Sequence, residues 1–152
     1  MDVSYINPFI IETQNCFATM MGIKVHPDAP ALKRFPYPTH DISSVIGLSG
    51  NAQGSISLSF PHNDAHEFVK AMLGNPENIK EDEMIDGIGE IANIIAGNVK
   101  RHLSKFNLSI SLPNVIIGKK HTLASQSGSP TIMVPFNCDR GKFVMEVSLK
   151  TK

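Results

Sequence analysis

Neither sign of charge prevails in this chain. Lys and Arg number 14 and so do Asp and Glu, leaving no overall field to draw it onto nucleic acid or an anionic membrane. No apolar stretch approaches the roughly 20 residues that a membrane span requires. Cysteine is scarce: Cys16 and Cys138 stand alone in apolar surroundings, NCFATM and FNCDRG, which predicts two reduced thiols rather than a disulfide. The amino terminus, MDVSYINPFIIETQN, carries Asp2 and Glu12 and no basic leader, so it does not read as a secretory signal and a cytoplasmic location is expected. Several catalytic signatures are missing too. GLSGNAQG lacks the Lys-Ser/Thr pair of a phosphate-binding loop, and SQSGS, Ser125 to Ser129, lacks the GxSxG setting of a nucleophile. His62 and His66 stand four apart with Glu67 adjacent, a chelating spacing. The HExxH order is absent, however, and no third ligand lies in evident range, so surface histidines and no metal are expected.

What is present suits one soluble globular domain over residues 1–152, with 41% hydrophobic and 18% charged residues. Asn7-Pro8 predicts a helix start, after which Phe9, Thr13, Cys16, Phe17, Met20 and Met21 recur at helical spacing until Gly22. Residues His26 to Thr39 hold four prolines and read as an extended surface connection. HDISSVIGLSG and GSISLSF, around Gly50 and Gly54, read as a hairpin with one apolar face and one face of serines. NDAHEFVKAMLG predicts an amphipathic helix capped by Asn63 or Asp64 and closed by Gly74. A third helix runs from about Asp82 to Leu103. Its basic end, Lys100, Arg101, His102 and Lys105, suits the helix macrodipole. Strand candidates follow at Ser109 to Ile117, His121 to Ala124, Thr131 to Phe136 and Phe143 to Leu149. This order predicts an α+β fold with helices packed on a mostly antiparallel sheet.

The third helix carries the chemistry. Met84, Ile88, Ile91, Ala92, Ile95, Val99 and Leu103 fall on one stripe, the predicted core face. Asp86, Glu90, Asn93 and Gly97 follow at steps of four, three and four, lining a second ridge whose neighbours lie about 5–6 Å apart at Cβ. The ridge is acidic, polar and thin. Gly97 costs roughly 1 kcal/mol relative to alanine, and Gly87 and Gly89 similar amounts. Such costs point to access for a partner or to close helix packing.

Glu90-Ile91-Ala92-Asn93 followed by Ala96-Gly97-Asn98, with VIGLSG and GSISLSF upstream and SLPNVIIG downstream, resembles the CheX members of the CheC/CheX/FliY chemotaxis phosphatase family. The resemblance spans nearly the whole chain. It implies hydrolysis of the aspartyl phosphate on a CheY-type response regulator, with Glu90 as the docking carboxylate and Asn93 as the catalytic amide. It further implies a homodimer, no cofactor on this chain and Mg2+ on the partner receiver domain. By position on the ridge, Asp86 and Gly97 join Glu90 as docking residues. A second E-x-x-N, Glu12 to Asn15, lacks the following Ala-Gly pair and reads as a chance match on a wet helix face, though a distant internal duplication stays open. Two other readings remain: a non-catalytic receiver-binding or flagellar adaptor module using the same ridge, and a structural paralogue whose ridge another subunit covers.

Overall fold

A computed structural model describes residues 3–34, 40–118 and 130–151. Helix α1 (Ile6–Met21) is followed by two short strands, β1 (His26–Pro27) and β2 (Ala31–Leu32), and then by the hairpin β3 (Ile42–Ser49) and β4 (Ala52–Phe60). Helices α2 (His62–Met72) and α3 (Glu81–His102) come next, then β5 (Ser109–Ile110), β6 (Asn114–Ile117), β7 (Ile132–Cys138) and β8 (Gly141–Thr151). The strands form one sheet in the order β1-β7-β8-β4-β3-β5, with β2 also on β7 and β6 also on β3. Every described pairing is antiparallel. The three helices cover one face of this sheet, α3 crossing β3, β4 and β6 while α1 packs on α2 and α3. This is the α+β architecture that the order of elements predicts. Among the described residues no helix is long and apolar enough to cross a membrane.

The register follows the side-chain pattern. Phe136 pairs with Phe143, Val134 with Met145 and Ile132 with Val147, so the apolar positions of β7 and β8 share the helix-covered face, as alternation requires. Gly22 ends α1 in the left-handed region at φ 67°, its N–H donating to the Ala18 carbonyl, a conformation that costs glycine little.

Several local expectations are corrected. Helix α1 starts at Ile6, not after Asn7, and its preceding residue Tyr5 makes no side-chain cap; Pro8 falls in the first turn, where its missing N–H has no helical partner anyway. Helix α2 starts at His62 after Pro61, so Asp64 is not its cap. Its carboxylate instead accepts the Lys142 backbone N–H at 3.2 Å, tying α2 to the β7–β8 hairpin. Gly54 lies within β4 rather than in the turn, and it is glycine where a Cβ would lie 1.8 Å from the Ser148 carbonyl oxygen. The serine face is buried as well: Ser43, Ser57, Ser59 and Ser148 are almost wholly covered. Ser43 and Ser59 are linked at 3.0 Å, and Lys33 reaches the buried Glu146 at 2.5 Å. Leu112-Pro113 interrupts the single strand expected over 109–117 and leaves two short ones, since proline cannot donate to the ladder. The strand candidate at 121–124 and the serine-rich turn at 125–129 lie outside the described residues.

An aromatic cluster joins the layers. Phe143 on β8 stacks on Phe17 of α1 at 4.6 Å and on Phe136 of β7 at 4.9 Å, and meets Phe68 of α2 edge-on at 5.8 Å. All four rings are buried, and such pairs add to the apolar area they remove from water. Phe143→Ala is therefore expected to lower unfolding stability by about 3–5 kcal/mol. Denaturant titration checks this, and a loss under about 1 kcal/mol would remove Phe143 from the centre of the core.

Candidate functional site

Helix α3 buries Met84, Ile88, Ile91, Ala92, Ile95 and Val99, and Leu103 just after its end is buried too, each no more than 4% exposed. That commitment turns the opposite side outward. Asp86 and Glu90 are exposed, and Asn93 and Gly97 half-buried, so the four ridge residues lie on one accessible edge in the order the sequence predicts. Among the described residues, neither the Glu90 carboxylate nor the Asn93 carboxamide has a hydrogen bond or ion pair. The amide is thus held on a helix with its donors and acceptor unused by any described residue, and so able to engage an external molecule.

The three glycines of α3 separate into different roles. A Cβ at Gly87 would lie 2.6 and 2.7 Å from the two γ-methyls of Val69 on α2, so this glycine lets the helices close. At Gly89 the added carbon would make ordinary contacts of 3.5 Å with Pro113 and Val115. At Gly97 it would meet no described atom within 4 Å. Packing among the described residues therefore gives no reason for glycine at 97.

Both flanks of the ridge are shaped by other elements. On one side a depression of about 340 Å³ is lined by Met72, Leu73, Glu83, Asp86, Gly87 and Glu90. Leu73 and Met72, from the end of α2, were not legible as site residues, since nothing in their own segment marks them. On the other side lies α1. Burial, the charge of Glu90 and then that of Glu12 push the Cys16 thiol up to about 12, so it stays protonated and is no nucleophile at neutral pH. Glu12 itself is buried, its carboxylate 2.6 Å from Nε2 of His102. His102 thus ties the end of α3 to α1 through this hydrogen bond. Of the second E-x-x-N, only Asn15 is exposed.

A separate cluster lies at the start of α3. Nε2 of His62 is 2.9 Å from Oε1 of Glu81, and Nε2 of His66 is 3.1 Å from Oε2. The hydrogen bond from His62 is the main influence holding the Glu81 carboxyl below its ordinary range, with a smaller one from His66. Sequence reasoning finds the two histidines but misses Glu81, which the α2–α3 connection brings back to them. At the far end, Lys105 lies over the rings of Tyr5 and Phe106 at 4.8 and 5.0 Å.

The sequence profile described as chemotaxis phosphatase CheX matches residues 42–137, a span holding β3, β4, α2, the whole of α3 and most of β7. The chain belongs to the CheX family. It is 30% identical over 123 residues to the CheY-P phosphatase CheX of Thermotoga maritima, covering 78% of this chain and 79% of that protein. The crystal structure of the chemotaxis protein CheX of Desulfovibrio desulfuricans superposes with a TM-score of 0.87 at 34% identity, over 97% of this chain and all of that one. The CheX of the CheX-CheY-BeF3-Mg2+ complex from Borrelia burgdorferi shares the fold, with a TM-score of 0.78 at 22% identity over 98% and 99% of the two chains. The CheX family thus supplies the setting in which the ridge of α3 is read.

The glycine geometry predicts opposite outcomes for adjacent substitutions. Gly87→Ala is expected to lower stability by about 1–3 kcal/mol, because the added carbon would meet both γ-methyls of Val69 at 2.6 and 2.7 Å. Gly89→Ala is expected to raise it by about 0.5–1 kcal/mol through helix propensity and reduced unfolded-chain entropy. Paired thermal and urea unfolding of the two variants checks the sign, and equal effects would contradict the packing described.

Proposed function

We propose that this protein hydrolyses the aspartyl phosphate of a CheY-type response regulator by inserting the ridge of α3 into the receiver's active cleft. The observation that carries the reading is the pairing of an unengaged Asn93 amide with a Gly97 that internal packing does not require. A glycine at a helix cost of roughly 1 kcal/mol is explained by a body that must approach the backbone there. The CheY-P phosphatase named in Thermotoga maritima and the CheY-bound complex named in Borrelia burgdorferi support the choice of partner.

The chemistry asks little of this chain. In an acyl phosphate the carboxylate is already a good leaving group, and the receiver's own Mg2+ and lysine neutralise developing charge. Mg2+ in the Borrelia complex supports placing that ion on the partner, with no cofactor needed on this chain. Asn93 accepts one hydrogen bond from a water and donates another, holding it in line with the phosphorus without changing charge. As the water oxygen bonds to phosphorus, the bond to the aspartyl oxygen breaks, its electron pair leaves with the carboxylate, and inorganic phosphate is released. Glu90, one turn away, forms an ion pair with a receiver lysine and fixes the insertion depth, while Asp86 and the depression beside Leu73 extend the docking surface. A receiver partner places the reaction in the cytoplasm.

The dimer belongs to the same proposal. Among the described residues β6 pairs only with β3, so its outer backbone edge is open, and Leu112 and Ile117 beside it are 86% and 50% exposed. An open edge flanked by apolar side chains is one that a second copy can satisfy. Sedimentation velocity at micromolar concentration is expected to give twice the mass of one chain. A single species of one chain's mass would end the dimer reading.

Phosphate release from a phosphorylated receiver, with and without this protein, tests the function. Asn93→Ala is expected to retain receiver binding and to lose roughly 10²-fold in acceleration, the scale of removing one preorganised group from a transition state. Glu90→Ala weakens docking a few-fold, with a difference that shrinks at high salt. Gly97→Ala folds at least as stably as the parent yet docks worse. Unchanged phosphate release by the Asn93 variant would leave the ridge as a receiver-binding surface of an adaptor and remove the enzymatic reading.

A further inference from the structure

His62 opens α2 and His66 lies one turn on, their rings 4.9 Å apart at the centroids. Glu81 opens α3. The fold lays these first turns side by side so that one carboxylate spans both imidazoles, and the three ligand-bearing groups place an atom each within 4.8 Å of one another. We propose that His62, His66 and Glu81 form a binding site for a divalent cation of the zinc type, clasping the first turn of α2 to the first turn of α3.

The donor set is the first support. Two imidazole nitrogens and one carboxylate oxygen are what zinc takes in three-ligand sites, with water completing a tetrahedron. The spacing is the second. Metal–ligand bonds near 2.0–2.2 Å put the donors of a tetrahedron roughly 3.3–3.5 Å apart, and the two imidazole–carboxylate pairs already stand at 2.9 and 3.1 Å. Small rotations of partly exposed side chains suffice to open them. Exposure is the third: at 40%, 26% and 51%, the side chains of His62, His66 and Glu81 leave one side of the cluster open to solvent. Two helix N-termini repel a cation, but Glu81, Asp82 and Glu83 place three carboxylates in the first turn of α3 and offset that field. Imidazole ligands exclude Mg2+ and Ca2+, which take oxygen shells. Glu81 precedes Glu90 by nine residues, about 13 Å along the helix axis, so the cation fixes the seating of α3 and stands apart from the phosphoryl chemistry.

The test uses the full chain without a polyhistidine tag. Zinc titrated by calorimetry is expected to bind in one equivalent and to raise the thermal midpoint by several degrees. His66→Gln and Glu81→Gln, each checked for native folding by circular dichroism, are expected to weaken binding at least about tenfold and to abolish the thermal shift. Cobalt substitution in the unaltered protein requires no variant. Visible bands of low-coordinate nitrogen and oxygen ligation support the site, whereas a thiolate charge-transfer band assigns the metal to a cysteine and overturns it. Absence of zinc binding, equal binding by the variants, or displacement by a hundredfold excess of Mg2+ would each overturn it too, leaving a histidine–carboxylate ion pair.

Discussion

Helix α3 has to bury one stripe, and that obligation governs much else. With Met84, Ile88, Ile91, Ile95, Val99 and Leu103 pressed onto the sheet and the neighbouring helices, the azimuth of every other residue on the helix is fixed. Asp86, Glu90, Asn93 and Gly97 are left on the outer edge by the geometry of a 3.6-residue turn, with no loop needed to hold them. A site carried by a buried helix inherits the rigidity of the core, which suits the water-holding task proposed for the Asn93 amide. Gly87 serves the same end from within, since the close approach of Val69 lets α2 brace α3 directly.

The parts of this architecture that were legible in the sequence are those written in local periodicity. The α3 stripe and ridge, the β7–β8 register and the left-handed stop at Gly22 each depend on residues a few positions apart. Helix starts were less legible. Asn7 and Asp64 are good capping residues by type, yet neighbouring Tyr5 and Pro61 precede the helices, and Asp64 is drawn instead to Lys142, 78 positions away. Gly54 looks like turn chemistry in one dimension and is revealed as strand only once β8 lies against it.

The candidate site was legible where one helix supplies it and opaque where two do. Glu90 and Asn93 share an element, so their spacing alone predicts their company. Leu73 and Glu81 belong to the end and the beginning of adjacent helices, and nothing in either segment announces the other. The serine face teaches the same lesson with the opposite sign. Alternation correctly separates Ser55, Ser57 and Ser59 from Ile56, Leu58 and Phe60, but polarity of a face does not establish its exposure. Ser43 and Ser59 satisfy each other under cover, and Lys33 meets one oxygen of Glu146, whereas Glu146 Oε2 and Ser44 Oγ are buried with no partner among the described residues.

Glu12 and His102 join α1 to the last turn of α3, while Glu81 joins its first turn to α2. A rod pinned near both tips cannot slide along its own axis. In the proposed reaction, the reach of the Asn93 amide beyond the protein surface is then a property of this scaffold alone, like the fixed stroke of a piston. Receivers that differ in cleft depth would be sorted by how well they match that stroke, and selectivity among the regulators of one cell would reside in the shape of their clefts rather than in any adjustment of this protein on contact.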